Sequence, residues 1–353
     1  MEREADLWHT GPTMAGSSNR RAVGWWLLVM AALVVVQVVL GGITRLTDSG
    51  LSITEWKPLL GVIPPTTDAE WNEAFAKYQQ IPQFQQLKSH LTLPEFRFIY
   101  FWEWFHRLWG RMLGVAFAVP ALVFWRRGQL SGLRTRLSLL FGLGGLQGLM
   151  GWVMVASGLQ DLVYVSHLRL AAHFMLAMLV LVALVWVGVE QLALEPAPVA
   201  SKRLESVTRT LFAALALQLT VGALMAGLKA ALFAPTWPTI NGAWVPSFNG
   251  GWWWNDPLAV HLVHRTLAYL VAVGVVAWWW ATRGVLSAAR HVPLALVALQ
   301  VLLGITVTVR AIYPGELLRF GVLHQLVGVL LLVSLTVASA RVRSGAVSAS
   351  PAH

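Results

Sequence analysis

A chain of 353 residues, 57% hydrophobic and only 12% charged, with a mean hydropathy of +0.62, excludes an ordinary soluble domain and defines a membrane protein. Its formal net charge of +10 does not indicate a nucleic-acid partner, because the basic residues flank apolar segments instead of forming a patch interleaved with aromatics. The lack of cysteine excludes disulfides, thiolate ligands and cysteine-held clusters.

Residues 1–21 read as a cytoplasmic tail, whose Glu2, Glu4 and Asp6 argue against a mitochondrial transit peptide. Eight apolar stretches follow, each near the ~20 residues that cross a bilayer as helix: 24–42, 103–125, 137–157, 167–189, 207–228, 259–281, 292–310 and 317–340. The first is too long for a removable signal and lacks a small-residue cleavage site, so a bacterial cytoplasmic (inner) membrane is expected. A long outer loop, 43–101, begins ITRLTDSGLSITEWKPLLGVIPP, punctuated as ordered turns. Thr67 and Glu70 then predict a capping box, and Trp71, Phe75 and Tyr78 give the short helix it opens one aromatic face. That helix either lids a site, lies on the membrane surface or packs within the loop. A second box, Thr92 with Glu95, starts the next helix outside the bilayer. Basic residues weighted by the short loops put both termini in the cytoplasm.

The stretch FWEWFHRLWGRMLG, 101–114, carries Glu103, His106, Arg107 and Arg111 on a segment otherwise fit for lipid. Ionisable groups there are costly unless paired or used, which makes them a functional-site hypothesis. His173, His264 and His324 occupy corresponding places on the fourth, sixth and eighth apolar segments. The first, third, fifth and seventh segments each contain Gln-x-x-x-Gly: Gln37 and Gly41, Gln147 and Gly151, Gln218 and Gly222, Gln300 and Gly304. Close helix packing suffices to explain these pairs. The two halves therefore repeat, and the expected fold is an all-α integral membrane protein. Its eight transmembrane helices form two tandem four-helix bundles related by pseudo-two-fold symmetry. An N-terminal half spans 22–190, a linker 191–204, a C-terminal half 205–340 and a cytoplasmic tail 341–353.

In such bundles His106 pairs with His173 and His264 with His324, toward the outer side. Paired neutral imidazoles on facing helices suit haem iron, whereas two histidines without cysteine or nearby carboxylates make a poor closed zinc shell. His167 and His261 read as interfacial, or as supports to the neighbouring ligands. Arg107 and Arg265, each following a ligand candidate, either grip haem propionates or snorkel to the interface. Glu103 breaks the symmetry, since His261 stands at the matching position of the second half. It either acts on water or a porphyrin edge or simply pairs with Arg107.

At these residues the sequence resembles the haem A synthase family, through GGITRLTDSGLSITEWKPLLGVIPP at 41–65, EWFHRLWGR at 103–111, TWPTINGAWVP at 236–246 and the histidine-bearing helices. The resemblance covers about 24–340. It implies oxidation of the C8 methyl of haem O to the formyl of haem A through successive hydroxylations. It also implies His106 and His173 as ligands of the substrate haem, His264 and His324 as ligands of a haem B cofactor, and Glu103 as the catalytic carboxylate. The lack of cysteine places the chain nearer a cysteine-free branch. Haem O and membrane lipid are the implied partners, with room for contact with haem O synthase, an unidentified electron acceptor and a homo-oligomer.

The alternative is a di-haem b-type electron-transfer cytochrome, which gives Glu103 and the long first loop no role. A transporter would place its polar groups near the midplane, and a prenyl transferase would need aspartate-rich magnesium motifs that the lone Asp256 does not supply.

Overall fold

The computed structural model describes residues 14–56, 60–159, 163–192, 201–248, 250–286 and 288–348. The start of the N-terminal tail, most of the linker between halves and the C-terminal end lie outside the described residues. Among the described residues the protein is helical, with a single isolated bridge between Ile240 and Ala243. Its helices are α1 (Met14–Leu46), α2 (Asp68–Tyr78), α3 (Leu93–Arg126), α4 (Arg134–Gly158), α5 (His167–Gln191), α6 (Lys202–Gly227), α7 (Pro257–Ala281), α8 (His291–Val309) and α9 (Pro314–Ser348). All but α2 are long and apolar enough to cross a membrane, so the protein is an all-α, multi-pass membrane protein. The outermost helices extend beyond the apolar stretches: α1 begins within the segment read as a tail, and α9 continues to Ser348. Backbone hydrogen bonding carries a helix past its apolar section wherever no proline or cap stops it.

Within the first half α1 packs on α3 and α5, and α4 on α5; within the second α6 packs on α7, and α8 on α9. The halves meet where α5 touches α6 and α9, and where α1 touches α9. This arrangement fits two tandem bundles with one departure from symmetry, since α1 lies along α5 whereas α6 and α9 barely touch. The shared core includes Leu27, Leu181 and Leu335, from α1, α5 and α9, all fully buried.

The loop after α1 builds a second, smaller core. Leu51, Tyr78, Ile81, Phe96 and Ile99 are buried together, and the aromatic face of α2 packs on α3, with Trp71 5.1 Å from Tyr100 and Tyr78 5.2 Å from Phe96 between ring centroids. Of the readings open for this helix, packing within the loop is therefore realised. Both capping boxes form: Thr67 accepts from the Glu70 N–H at 3.3 Å, and Glu95 accepts from the Thr92 N–H at 2.8 Å. The N–H groups of Thr66 and Thr67 hold the exposed Glu70 carboxyl below its ordinary range. A depressed carboxyl contributes stability that is complete above the unfolded-chain value and lost as pH falls through the depressed one. Amide exchange in α2 is therefore expected to accelerate in that acid window, and Glu70→Gln should flatten this dependence.

Candidate functional site

The four histidines each lie nearer the N-terminal end of their helix, α3, α5, α7 or α9, and so at the end of the bundle that carries the loop after α1. His264 and His324 face one another with ring centroids 6.3 Å apart and planes inclined at 71°. The expected second pair is therefore a spatial one.

The Gln-x-x-x-Gly repeats prove to be the surfaces on which these histidines sit. Each Gln Nε2 lies 3.2–3.4 Å from ring nitrogen of the histidine on the next spanning helix: Gln37 with His106, Gln147 with His173, Gln218 with His264 and Gln300 with His324. In the first half the same amides also donate to the backbone carbonyls of His106 and His173, at 3.2 and 3.1 Å. A methyl at Gly41, Gly151, Gly222 or Gly304 would stand 3.0–3.2 Å from Cε1 of the matching ring, so each glycine makes room for an imidazole edge. Helix packing alone, sufficient from sequence, omits this. The missed signal was reciprocal: four residues after each histidine stands Gly110, Ala177, Ala268 or Gly328, a small residue one turn along the same face.

Glu103 is 1% exposed. One oxygen accepts from Arg107 Nη2 at 2.6 Å, and the other from Ser52 Oγ at 2.7 Å and the Ile53 N–H at 2.8 Å. The carboxylate thus ties α3 to the loop after α1. Arg107 adds bonds to the carbonyls of Ile53 and Glu55, at 3.1 and 3.4 Å. Arg265 does the corresponding work in the second half, reaching the carbonyls of Thr236 at 2.6 Å and of Pro238 and Thr239 at 3.2 Å. Both arginines hold a loop beside the histidine that precedes them. His261 is 1% exposed with its Nδ1 unpartnered, so the interfacial reading does not hold for it. His167 bonds Asn255 at 3.0 Å.

Among the described residues no group of three or more His, Asp or Glu could hold a metal ion, which leaves each site two imidazoles. Two nitrogen donors suit an ion whose remaining positions are filled by a porphyrin. Metal–nitrogen bonds of about 2.0–2.1 Å on both sides of one ion put the ring centroids roughly 6 Å apart, as in the second pair. Nδ1 of His264 and of His324 is enclosed without a partner, a cost of about 1–3 kcal/mol each that ligation or a hydrogen-bond acceptor removes. The residues fit the group.

Fold and site define a class: a multi-pass helical membrane protein with a glutamine-seated histidine on every second spanning helix, two of them face to face and another flanked by a buried carboxylate. Comparison with known proteins narrows it. The COX15-CtaA family model, described as cytochrome oxidase assembly protein, matches residues 24–336. Relatives include the Heme A synthase of Maricaulis maris, 43% identical over 92% of this chain and 96% of that protein. The Heme A synthase of Bradyrhizobium diazoefficiens is 42% identical over 94% of each, and that of Brucella suis 40% over 96% of each. The chain belongs to the COX15-CtaA family.

Proposed function

We propose that this protein is a haem A synthase, an oxidoreductase that converts the C8 methyl of haem O to a formyl group by successive hydroxylations and loss of water. The observation that carries the assignment of halves is the unequal enclosure of their middle two spans, the outer spans of the first half being at least as buried as those of the second. None of the most apolar 18-residue stretch of α3 and 6% of that of α4 is buried, against 28% in α7 and 17% in α8. A pair of spans open to lipid suits a substrate with a farnesyl tail, and a more enclosed pair suits a resident cofactor. His106 and His173 then hold the substrate haem, and His264 and His324 a haem B. When bound, haem B supplies a one-electron redox centre that accepts the electrons leaving the substrate.

Glu103 is the proposed catalytic carboxylate. With donors on both oxygens it acts as a fixed negative charge beside the substrate, stabilising positive charge that develops as the methyl is oxidised. Arg107 and Arg265 hold the loops against the two sites, and the Nε of Arg265, enclosed without a partner, is a donor for a haem propionate. The two sites are joined through adjacent residues: Gln37 touches His106, and the Val38 carbonyl accepts from Gln325, next to His324, at 3.0 Å. The reading puts both termini in the cytoplasm and the haem sites toward the outer side of the bacterial inner membrane.

Extraction and mass identification of the haems in protein purified in mild detergent tests this. Wild type is expected to carry haem B with haem O or A; His106→Ala should lose the farnesylated haem, and His264→Ala haem B. Two equivalents of haem B, even with haem O supplied, would replace this reading with that of a di-haem electron carrier.

A further inference from the structure

We infer that each Gln-x-x-x-Gly sequence is a positioning clamp. It sets the rotation of the imidazole on the following spanning helix, and thereby the angle between the two ring planes of a haem-ligand pair. The inference rests on the two-haem reading and adds to it the residues that orient the ligands.

The amide of Gln37 is nearly equidistant from Nδ1 and Nε2 of His106, at 3.2 and 3.3 Å, and that of Gln147 is 3.3 Å from both nitrogens of His173. A donor in the ring plane at such distances would overlap Cε1, so the amide lies over the ring face. The glycine four residues on meets the ring edge at Cε1. Face and edge together leave the imidazole little freedom about its Cβ–Cγ bond. The clamp is reciprocal, because the small residue four positions after the histidine seats the amide: a methyl at Gly328 would stand 3.1 Å from Gln300 Nε2, and one at Gly110 3.5 Å from Gln37 Nε2.

All four Gln Oε1 atoms are enclosed without a partner. Native interiors rarely leave such acceptors unused, and a ligating histidine usually donates its other ring N–H to an acceptor that fixes its orientation. In the second half the amides contact Nε2 while Nδ1 of each ring stays without a partner, so the amide bears on ring rotation through the ring itself and not through a hydrogen bond to Nδ1. Four recurrences, on four different helix pairs, separate this from incidental packing.

Relative ring orientation governs the d-orbital splitting of low-spin ferric iron, and outer-shell hydrogen bonding its potential. The experiment is therefore ferric electron paramagnetic resonance and redox titration of haem B in the purified holoprotein, for wild type, Gln300→Leu and Gly304→Ala. The first variant removes the amide at similar volume, and the second pushes a methyl against the His324 edge with the amide kept. Both are expected to retain haem B while the low-field resonance moves and the midpoint potential shifts. Haem B retained with resonance and potential unchanged in both would overturn the inference. Should Gln300→Leu fail to accumulate, Gly304→Ala decides alone by the same readout. Wild type devoid of low-spin haem B would instead defeat the two-haem reading, and the clamp with it.

Discussion

Glu103→Gln is expected to lower conversion of haem O to haem A by about 10²- to 10³-fold, the range lost when one preorganised electrostatic group is removed from a reacting centre. The variant keeps the side-chain shape and an oxygen for Ser52 and the Ile53 N–H, but withdraws the negative charge that faces Arg107. Glu103→Ala removes the anchor as well. It leaves Arg107, only 15% exposed, without its carboxylate, at a cost of about 3–5 kcal/mol, so loss of activity should come with a lowered unfolding temperature. Ser52→Ala takes away a single bond to the carboxylate, worth about 1–3 kcal/mol, and keeps the charge. The ratio of haem A to haem O in membranes expressing each variant separates the roles. A wild-type ratio in Glu103→Gln would end the case for a catalytic charge and leave Glu103 as a loop anchor.

Arg45→Leu is expected to loosen one half of the molecule from the other. Arg45 Nη2 donates to the carbonyls of Ala226 and Gly227, at 2.6 and 3.0 Å, at the C-terminus of α6. Its Nη1 meets Asp48 at 3.2 Å, and the other oxygen of Asp48 takes Lys229 at 2.8 Å. A cation from the first half thus caps a helix of the second, where terminal carbonyls have no partner of their own and the helix dipole favours positive charge. Asp48 and Lys229 both adopt left-handed backbone, with φ of 52° and 53°, a conformation uncommon outside glycine that this network holds in place. Charged hydrogen bonds contribute about 1.5–3 kcal/mol each, so removing the guanidinium should cost about 3 kcal/mol or more. Thermal unfolding in detergent, followed by helical circular dichroism, is expected to shift to lower temperature. An unchanged transition would mean that the packing of α5 on α6 and α9 and of α1 on α9 joins the halves without this network.

The sequence by itself determined the parts whose causes are local or additive. Apolar length located the eight spans, because the transfer of side chains into lipid adds up residue by residue over the ~20 positions a helix needs to cross. The Thr67 and Thr92 boxes were readable because the bonds they predict close within three residues. The histidines stood out because an ionisable group on an apolar helix has few neutral explanations, and their recurrence anticipated the facing of His264 and His324.

Only the tertiary structure decided what each of these groups touches. Gln37 and Gly41 meet His106 across 69 and 65 positions of chain, by way of a loop whose path no local pattern specifies. The same holds for Glu103 with Ser52, and for Arg265 with the carbonyls of Thr236 and Thr239. His261 looked interfacial beside its loop, yet packing against neighbouring helices encloses it. In a bilayer no hydrophobic force distinguishes one apolar face of a helix from another, so the rotation of each helix is settled by the close packing and hydrogen bonds of the whole bundle. That rotation aims each glutamine at a ring and turns an expected packing motif into a candidate clamp.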